Sequence, residues 1–375
     1  MSMPMKTLTV VTWKGGGNFG TCLQSFSLLY KLKSLGYRVY FLEYLPRSFG
    51  FKSFIKLLMT KLKIYSFFRN VLKNVNKSPK ARKRHAFQNE FYEIPVICSE
   101  RQKRNFIDTV DVFITGSDQI WNTYFAFNPF FFLDFAQQKK RVAYASSIGT
   151  DSIKESCKIP VKQLLQKFDH IGVRESSAVT ILSDLTKRND IVQVVDPTFL
   201  INGKQWEKLS ERAKVEIKLP DRYLFCYLIG NNESYARQVM DVSRMTNIEN
   251  IVIVPSEENA SFTIKNAIVY NDASPIDFVY LIRHASYVCT DSFHATALSL
   301  NLSKQFVELL RFRDDDVQSQ NSRIYDMLDH YDLSNRFYKE KSVEWCRDID
   351  YSRVAEALEL DRKKSMSFLL DAIEH

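Results

Sequence analysis

The stretch YVCTDSFHATALSL, residues 287–300, decides the fold of this 375-residue chain. Its first part, Tyr287–Thr290, is apolar and β-branched, which predicts a short strand. Asp291-Ser292 is typical of a helix N-cap, and residues 295–300 continue at helical spacing. A strand that runs directly into a capped helix indicates a parallel α/β sheet, and such sheets bind ligands at their carboxyl edge. We therefore expect a site at this junction.

His294 lies in the first turn of this predicted helix. The helix dipole and the unpaired N–H groups of a first turn favour an anion there. A single histidine can equally be a satisfied, partly buried imidazole. From the residues alone, both roles stay open for His294.

The same alternation of strands and helices runs through the rest of the chain. A strand at Leu8–Trp13, a Gly-rich turn at residues 14–20, a helix at Thr21–Leu35 and a strand at Arg38–Tyr44 form a predicted βαβ unit. Further strands are predicted at Val110–Thr115, Arg141–Ser146, His170–Arg174, Val192–Val195, Tyr223–Ile229 and Ile251–Pro255, with helices up to Met245 and at Pro275–His284. The fold class is therefore α/β, and the glycines do not match a dinucleotide fingerprint.

The length of the chain exceeds what one hydrophobic core supports, so we predict two domains. The N-terminal Rossmann-like domain takes residues 1–200, with a basic helical insertion at about 50–105, and the C-terminal Rossmann-like domain takes residues 201–340. Helices at residues 341–375 are expected to pack back towards the N-terminal domain. A cleft between two such domains is the expected place for a site.

The formal net charge is +9, and most of the excess lies between Lys52 and Arg104. Its basic side chains include Lys77, Lys80, Arg82, Lys83 and Arg84. Such a run favours an anionic partner, namely a membrane surface or a phosphorylated substrate. No RNA-binding signature or zinc spacing accompanies it, so no nucleic acid partner is predicted. Residues 51–91, with Ile55, Leu58, Leu62 and Tyr65 at helical spacing, form either an amphipathic surface segment or an ordinary solvated helix.

The composition, 45% apolar and 25% charged, is that of a soluble globular protein. The six cysteines are far apart and are expected to be reduced. The first residues contain no signal-peptide core, and no apolar run of about 18 residues occurs. These features predict a cytoplasmic protein, with peripheral contact at the inner face of the cell membrane as an open alternative.

Polar side chains follow two of the predicted strands. The run Gly-Ser-Asp-Gln-Ile-Trp-Asn at residues 116–122 offers Asp118 as a general base and Trp121 as a flat face for a sugar, or it is a capped turn with a core tryptophan. Arg174-Glu175 is either a clamp for carboxylate or phosphate or a surface ion pair. Asp314–Asp316 resembles a metal cluster only loosely, because three adjacent carboxylates cannot all face one ion. No metal is predicted.

Several motifs together resemble the polysaccharide pyruvyl transferase family, over roughly Thr9 to Leu328. They are Asn18-Phe-Gly20 with Gln24, residues 114–122, Val173-Arg174-Glu175, Val195-Asp196-Pro197-Thr198 and residues 290–295. The resemblance implies two Rossmann-like domains in a GT-B-like arrangement, with the active site in the interdomain cleft. It also implies transfer of the enolpyruvyl part of phosphoenolpyruvate onto a sugar, which gives a cyclic pyruvate ketal on cell-surface glycans.

Carried over residue by residue, the resemblance gives His294 as the active-site histidine and Arg174 as a contact for the donor's phosphate or carboxylate. The chemistry of ketal formation adds Asp118 as the group that accepts a hydroxyl proton. The expected donor-binding residues are Arg174, Ser292, Phe293 and Arg323, and the expected acceptor-binding residues are Asn18, Gly20, Gln24, Ser117, Gln119, Trp121 and Asn122. The chain departs from the family at Ser292, where some members have arginine. Another cation must then bind the donor, and the candidates are Arg323, Arg311 and Arg283.

These motifs imply phosphoenolpyruvate as co-substrate, no cofactor and a sugar acceptor. We expect the acceptor to be galactose-type and linked to undecaprenyl diphosphate, or to be part of a glycan, with the donor on the C-terminal side of the cleft and the acceptor on the N-terminal side. Two alternatives stay open. One is a GT-B glycosyltransferase that uses a nucleotide sugar, and the other is a non-catalytic partner in glycan assembly.

Overall fold

Two parallel β-sheets, one in each half of the chain, organise the structure. The computed structural model describes residues 5–15, 17–45, 78–312 and 319–375. The segment with Ile55, Leu58, Leu62 and Tyr65, together with Lys77 and Asp314–Asp316, lies outside the described residues.

The N-terminal sheet has six parallel strands in the order β2-β1-β3-β4-β5-β6. Their bounds are Thr7–Val11 (β1), Arg38–Leu42 (β2), Val112–Thr115 (β3), Lys140–Ser146 (β4), His170–Val173 (β5) and Ile191–Gln193 (β6). Val10 on β1 is in register with Phe41 on β2 and Ile114 on β3. All three are buried, as expected where helices cover both faces of a parallel sheet.

The C-terminal sheet has five parallel strands in the order β11-β10-β7-β8-β9. Their bounds are Leu224–Tyr227 (β7), Ile251–Ile253 (β8), Ile268–Val269 (β9), Tyr287–Thr290 (β10) and Phe306–Glu308 (β11). The strand predicted at residues 287–290 has the predicted bounds and lies between β7 and β11. The short strands β9 and β11 were not predicted.

Twelve α-helices of the described residues connect these strands. They are Phe19–Ser34 (α1), Pro79–Phe91 (α2), Glu100–Thr109 (α3), Lys158–Leu165 (α4), Ser176–Thr186 (α5), Pro197–Leu200 (α6), Gly203–Ser210 (α7), Tyr235–Thr246 (α8), Pro275–His284 (α9), Phe293–Asn301 (α10), Ser322–His330 (α11) and Tyr351–Glu374 (α12). Among the described helices, none has the length and apolarity that crossing a bilayer requires. Two Rossmann-like α/β domains are present, and the predicted fold class is confirmed.

The chain passes between the domains at residues 197–210, where α6 packs on α1 and α7 packs on α9. It returns through α12, which lies against the N-terminal domain. Lys6 Nζ donates to the carbonyl of Ile373 at 3.0 Å. Val195 N–H donates to Ser365 Oγ at 3.0 Å. Both ends of the chain therefore contribute to the N-terminal half of the molecule.

The basic helix α2 bridges the two domains. Three of its side chains contact the C-terminal domain: Lys80 Nζ donates to the Pro255 carbonyl at 2.8 Å, Lys83 Nζ pairs with Glu216 at 2.8 Å, and Arg84 pairs with Glu257 at 3.1 Å. Lys80 also lies over the ring of Phe19 at 4.9 Å. Of the four basic residues at positions 80–84, Arg82 is the exposed one. Three basic side chains of this helix therefore serve domain packing.

Candidate active site

A cavity of about 610 Å³ lies where the carboxyl edges of the two sheets face each other. The N-terminal domain lines it with Trp13, Asn18, Thr21, Asp118, Gln119 and Phe125. The C-terminal domain lines it with Ile229, Gly230, Asn231, Glu258, Ser292, Phe293, His294, Arg311, Phe312, Gln320 and Arg323. Both domains thus contribute polar side chains to one interdomain space.

The N-terminus of α10 opens onto this cavity. Ser292 is its N-cap residue, with extended backbone, and its Oγ accepts from Ala295 N–H at 3.4 Å. Ser292 N–H donates to Thr290 Oγ1 at 3.1 Å. The N–H groups of Phe293 and His294 precede the first possible intrahelical acceptors. This helix end can therefore bind an anion in the cavity.

The imidazole of His294 lies against α1, next to Gly20. Asn18 caps α1, because its Oδ1 accepts from Gly20 N–H at 2.8 Å. A Cβ atom at Gly20 would lie 2.3 Å from His294 Nδ1. Glycine is thus required at position 20 because the histidine approaches the helix backbone so closely.

We expect Gly20→Ala to lower kcat at least tenfold, because the new methyl group must displace the imidazole of His294. A misplacement of about 1 Å at a reacting group can cost roughly 100-fold in rate. The effect on stability is measured by urea unfolding of Gly20→Ala and of Gly20→Ala/His294→Ala. The double variant should be the more stable of the two, since it lacks the clash. Equal stability of the two would show that the methyl group is accommodated elsewhere.

Asp196 connects His294 to the wall behind it. Its Oδ2 accepts from Ser117 Oγ at 3.0 Å and lies 3.6 Å from His294 Nε2. Its Oδ1 accepts from the N–H and hydroxyl of Thr198 at 3.0 and 2.8 Å. Burial alone would raise the pKa of the Asp196 carboxyl, but the charges of His294 and Arg174 and the Thr198 N–H group together lower that pKa below its ordinary value. Asp196 is therefore an ionised carboxylate beside the histidine.

Arg174 lies behind the cavity wall and not in it. Its Nε donates to Glu175 Oε1 at 2.9 Å, and its Nη1 donates to Asp196 Oδ2 at 3.3 Å. The ring of Phe293 covers the guanidinium at 4.2 Å. The side chain lines a separate space of about 90 Å³ on the far side of that ring. Arg174, predicted as a direct donor contact, thus lies outside the large cavity, with two carboxylates and the Phe293 ring next to its guanidinium.

Of the three cations proposed to replace the arginine absent at Ser292, Arg311 and Arg323 line the cavity. Arg283 instead donates to the Glu207 carbonyl and Ser210 Oγ, at 2.9 and 3.0 Å, away from it. The charge of Arg311 is compensated, because its Nε lies 3.5 Å from Asp291 Oδ2.

Unlike Arg311, Arg323 contacts uncharged groups. Its hydrogen bonds go to the carbonyl and side-chain oxygens of Gln320, both at 3.1 Å. Within the described residues it forms no ion pair with a carboxylate. Burial first, and then the charges of Arg174 and Arg311, lower the pKa of Arg323 to about 9. A buried arginine in a cavity without a counter-ion is a site for an anion.

Asp118 and Gln119 form the opposite wall. Asp118 has a positive φ of 72°, and its Oδ2 accepts from Thr21 Oγ1 at 2.6 Å. Its Oδ1 accepts from Gln119 N–H at 2.8 Å. Gln119 Nε2 donates to Gln320 Oε1 at 2.8 Å, across the domain boundary. Gln320 therefore joins the acceptor-side wall to Arg323.

Four predicted acceptor-binding residues do not reach the cavity. Trp121 is 2% exposed, stacks on Phe132 with ring centroids 5.1 Å apart, and donates to the Phe131 carbonyl. Trp121 therefore packs in the core and does not line this cavity. The other three are buried supports: Gln24 accepts from Ser117 N–H, Ser117 donates to Asp196, and Asn122 donates to Gln119. Asn18 and Gln119 line the cavity, while Gly20 contacts His294.

Sequence reasoning missed Asp196, Trp13 and Gln320 as side chains of the site. Asp196 carried a signal, because Asp-Pro-Thr after a predicted strand is an N-cap at the carboxyl edge of the N-terminal sheet. Trp13 ends a predicted strand at that edge as well. Gln320 carried none, since only domain packing brings it to Gln119.

The chain also has relatives. The sequence profile of the family described as polysaccharide pyruvyl transferase matches residues 18–310. No curated protein matches the chain significantly.

Among solved structures, the UDP-GlcNAc 2-epimerase from Neisseria meningitidis bound to UDP-GlcNAc has 10% identity and a TM-score of 0.46, with 97% of this chain and 100% of that chain covered. The glycosyltransferase SnogD from Streptomyces nogalater has 11% identity and a TM-score of 0.41, with 97% and 96% covered. Since the family profile spans well over half of the sequence, including the cavity-facing N-termini of α1 and α10, the chain belongs to the polysaccharide pyruvyl transferase family.

Proposed function

We propose that this protein transfers the pyruvyl group of phosphoenolpyruvate to a sugar as a cyclic ketal, during the synthesis of a cell-surface polysaccharide. The proposed acceptor is a galactose-type, lipid-linked sugar with two free hydroxyl groups. The observation that carries the proposal is Arg323, a buried cation that pairs with no carboxylate of the described residues and lies in a cavity that also contains His294.

The C-terminal wall suits a donor with one phosphate and one carboxylate. Arg323 and Arg311 supply two guanidinium groups, and the N-terminus of α10 supplies backbone N–H groups beside Ser292. Bidentate guanidinium contacts suit both anionic groups of phosphoenolpyruvate. In this arrangement Arg323 and Arg311 replace the arginine that some family members have at the position of Ser292, and Arg174 holds Asp196 in place from behind.

The proposed reaction needs one acid and one base. His294, which lies 3.6 Å from Asp196, gives a proton to the methylene carbon of phosphoenolpyruvate while a sugar hydroxyl attacks C2. Asp118 accepts the proton of that hydroxyl, and each of its oxygens retains acceptor capacity beside Thr21 and Gln119. The second hydroxyl closes the ring as phosphate leaves. One hydroxyl proton balances the proton gained by carbon, and the other leaves with phosphate.

The loop after β7 supports this donor over a nucleotide sugar. A diphosphate at the first strand of a Rossmann-like domain is held by backbone N–H groups at the end of that strand. Here the N–H groups of Ile229 and Gly230 both donate to the carboxylate of Asp291, at 2.7 Å each. Tyr235 OH donates to the same carboxylate at 2.8 Å. These N–H groups are thus already occupied by a carboxylate and are not available to a diphosphate.

The test is phosphate release from phosphoenolpyruvate with galactose-, glucose- and mannose-type lipid-linked acceptors. Wild type should release phosphate only with an acceptor, and His294→Ala should not. His330→Ala is the matched control, because His330 lies outside the large cavity, paired with Asp361 at 2.6 Å. No release with any acceptor, together with turnover of a nucleotide sugar, would contradict the proposal. Turnover of neither donor would favour the non-catalytic alternative.

A further inference from the structure

The two ends of the cavity differ in chemistry. Both of its arginines, Arg311 and Arg323, come from the C-terminal domain. The N-terminal domain lines its own end with aromatic, amide, hydroxyl and carboxylate groups and contributes no lysine or arginine from the described residues. An end without cations suits a neutral ligand with hydroxyl groups.

Two aromatic side chains form the apolar part of this end. Trp13 follows β1 at the carboxyl edge of the sheet, is partly exposed, and meets Phe131 edge-on with ring centroids 5.9 Å apart. Phe125 is 54% exposed at the same cavity. Asp118 lines the same cavity and has acceptor capacity for hydroxyl groups. A flat apolar surface next to a carboxylate and an amide matches the two kinds of surface on a pyranose ring.

We propose that Trp13, assisted by Phe125, is the platform on which the acceptor sugar stacks, with its hydroxyl groups directed to Asp118 and Gln119. This inference rests on the proposed function, since it names the acceptor end of the same site. The ligand is a neutral pyranose that presents one apolar C–H face. Trp13 thus provides the flat face for a sugar that was predicted at Trp121, which is buried in the core.

The chain offers a direct readout of this contact. Its other three tryptophans, Trp121, Trp206 and Trp345, are 2%, 0% and 1% exposed. A neutral sugar that enters the cavity should therefore change the emission of Trp13. We expect methyl β-galactopyranoside, titrated without phosphoenolpyruvate, to give a saturable change in tryptophan fluorescence. The change should vanish in Trp13→Phe and persist in Trp345→Phe, the matched control.

Turnover separates the platform from a merely structural role. Trp13→Ala should raise KM for the acceptor roughly tenfold, with kcat and KM for phosphoenolpyruvate little changed, because the lost contact concerns only the sugar. Trp13→Phe keeps a ring and should stay within about threefold of wild type. Any of three results would contradict the role of Trp13 as the sugar platform. They are an unchanged acceptor KM in Trp13→Ala, a sugar-dependent fluorescence change that persists in Trp13→Phe, and saturation of the fluorescence change by UDP in place of the sugar.

These outcomes are distinct from failure of the proposed function. If wild type releases phosphate with an acceptor but Trp13→Ala has an unchanged acceptor KM, pyruvyl transfer is supported and the role of Trp13 as the sugar platform is contradicted. If wild type shows the Trp13 fluorescence change with the galactoside yet never releases phosphate from phosphoenolpyruvate, sugar binding at Trp13 is supported and phosphoenolpyruvate as the donor is contradicted.

Discussion

Arg323→Met is expected to lower kcat/KM for phosphoenolpyruvate roughly 100-fold or more while leaving the protein at least as stable as wild type. The loss of activity follows from the lost contact with an anionic donor. Truncating one partner of a buried charge pair costs about 2–5 kcal/mol, and about 1.4 kcal/mol corresponds to a factor of ten.

The effect on stability should have the opposite sign. In the protein without donor, the Arg323 guanidinium is buried, and its hydrogen bonds to the described residues go to the oxygens of Gln320. Methionine keeps the aliphatic part of the side chain and removes a charge that burial opposes. A destabilised active site of this kind is the usual origin of a trade-off between stability and activity.

Arg336→Met is the matched control for Arg323→Met. Arg336 is another buried arginine of the C-terminal half; its hydrogen bonds go to the Asn335 side chain and the Glu344 carbonyl, and burial lowers its pKa too. It does not line the cavity, so donor kinetics should stay at the wild-type level. Equal losses of donor kcat/KM in both variants, or no loss in Arg323→Met, would remove Arg323 from the donor site.

The sequence predicts the parts of the site that depend on local order. Residues 287–300 contain a strand, an N-cap and a helix within one short stretch, so the position of His294 at the sheet edge follows from spacing alone. The same holds for Asn18 at the start of α1. The strands β9 and β11 have two and three residues, and such lengths leave no periodicity to read.

Side-chain direction is what the sequence leaves undetermined. Trp121 and Trp13 both follow predicted strands of one sheet. In the structure Trp121 points into the core, where it packs against Phe132, and the sequence pattern does not show this direction. The charge of α2 is similarly ambiguous, because Lys80 and Lys83 contact a domain more than a hundred residues further along the chain. A run of positive charge predicts an anionic environment but not whether it belongs to a membrane, a substrate or the protein itself.

Asp196→Asn is expected to have the second largest effect, on both activity and stability. Asp196 is fully surrounded by protein, and its carboxylate faces Arg174 at 3.3 Å and His294 at 3.6 Å. Removing one partner of a buried ion pair leaves the other charge uncompensated and costs about 3–5 kcal/mol. Loss of the carboxylate beside His294 should also lower kcat on the order of 100-fold, since the imidazole then loses a group that positions it.

The pH dependence identifies this stability as electrostatic. Because folding lowers the pKa of Asp196, its contribution is fully present above the ordinary aspartate value and is lost as the pH falls below it. The difference in urea midpoint between wild type and Asp196→Asn should therefore be constant between about pH 6 and 8 and shrink below about pH 4. Asp361→Asn provides the comparison, because Asp361 also pairs with a histidine, His330, but that histidine is half exposed and such pairs contribute at most about 1 kcal/mol. Two results would contradict this: a urea-midpoint difference for Asp196→Asn that does not change with pH, or a loss of stability no larger than that of Asp361→Asn. Either would mean that Asp196 acts through its hydrogen bonds to Ser117 and Thr198 and not through its charge.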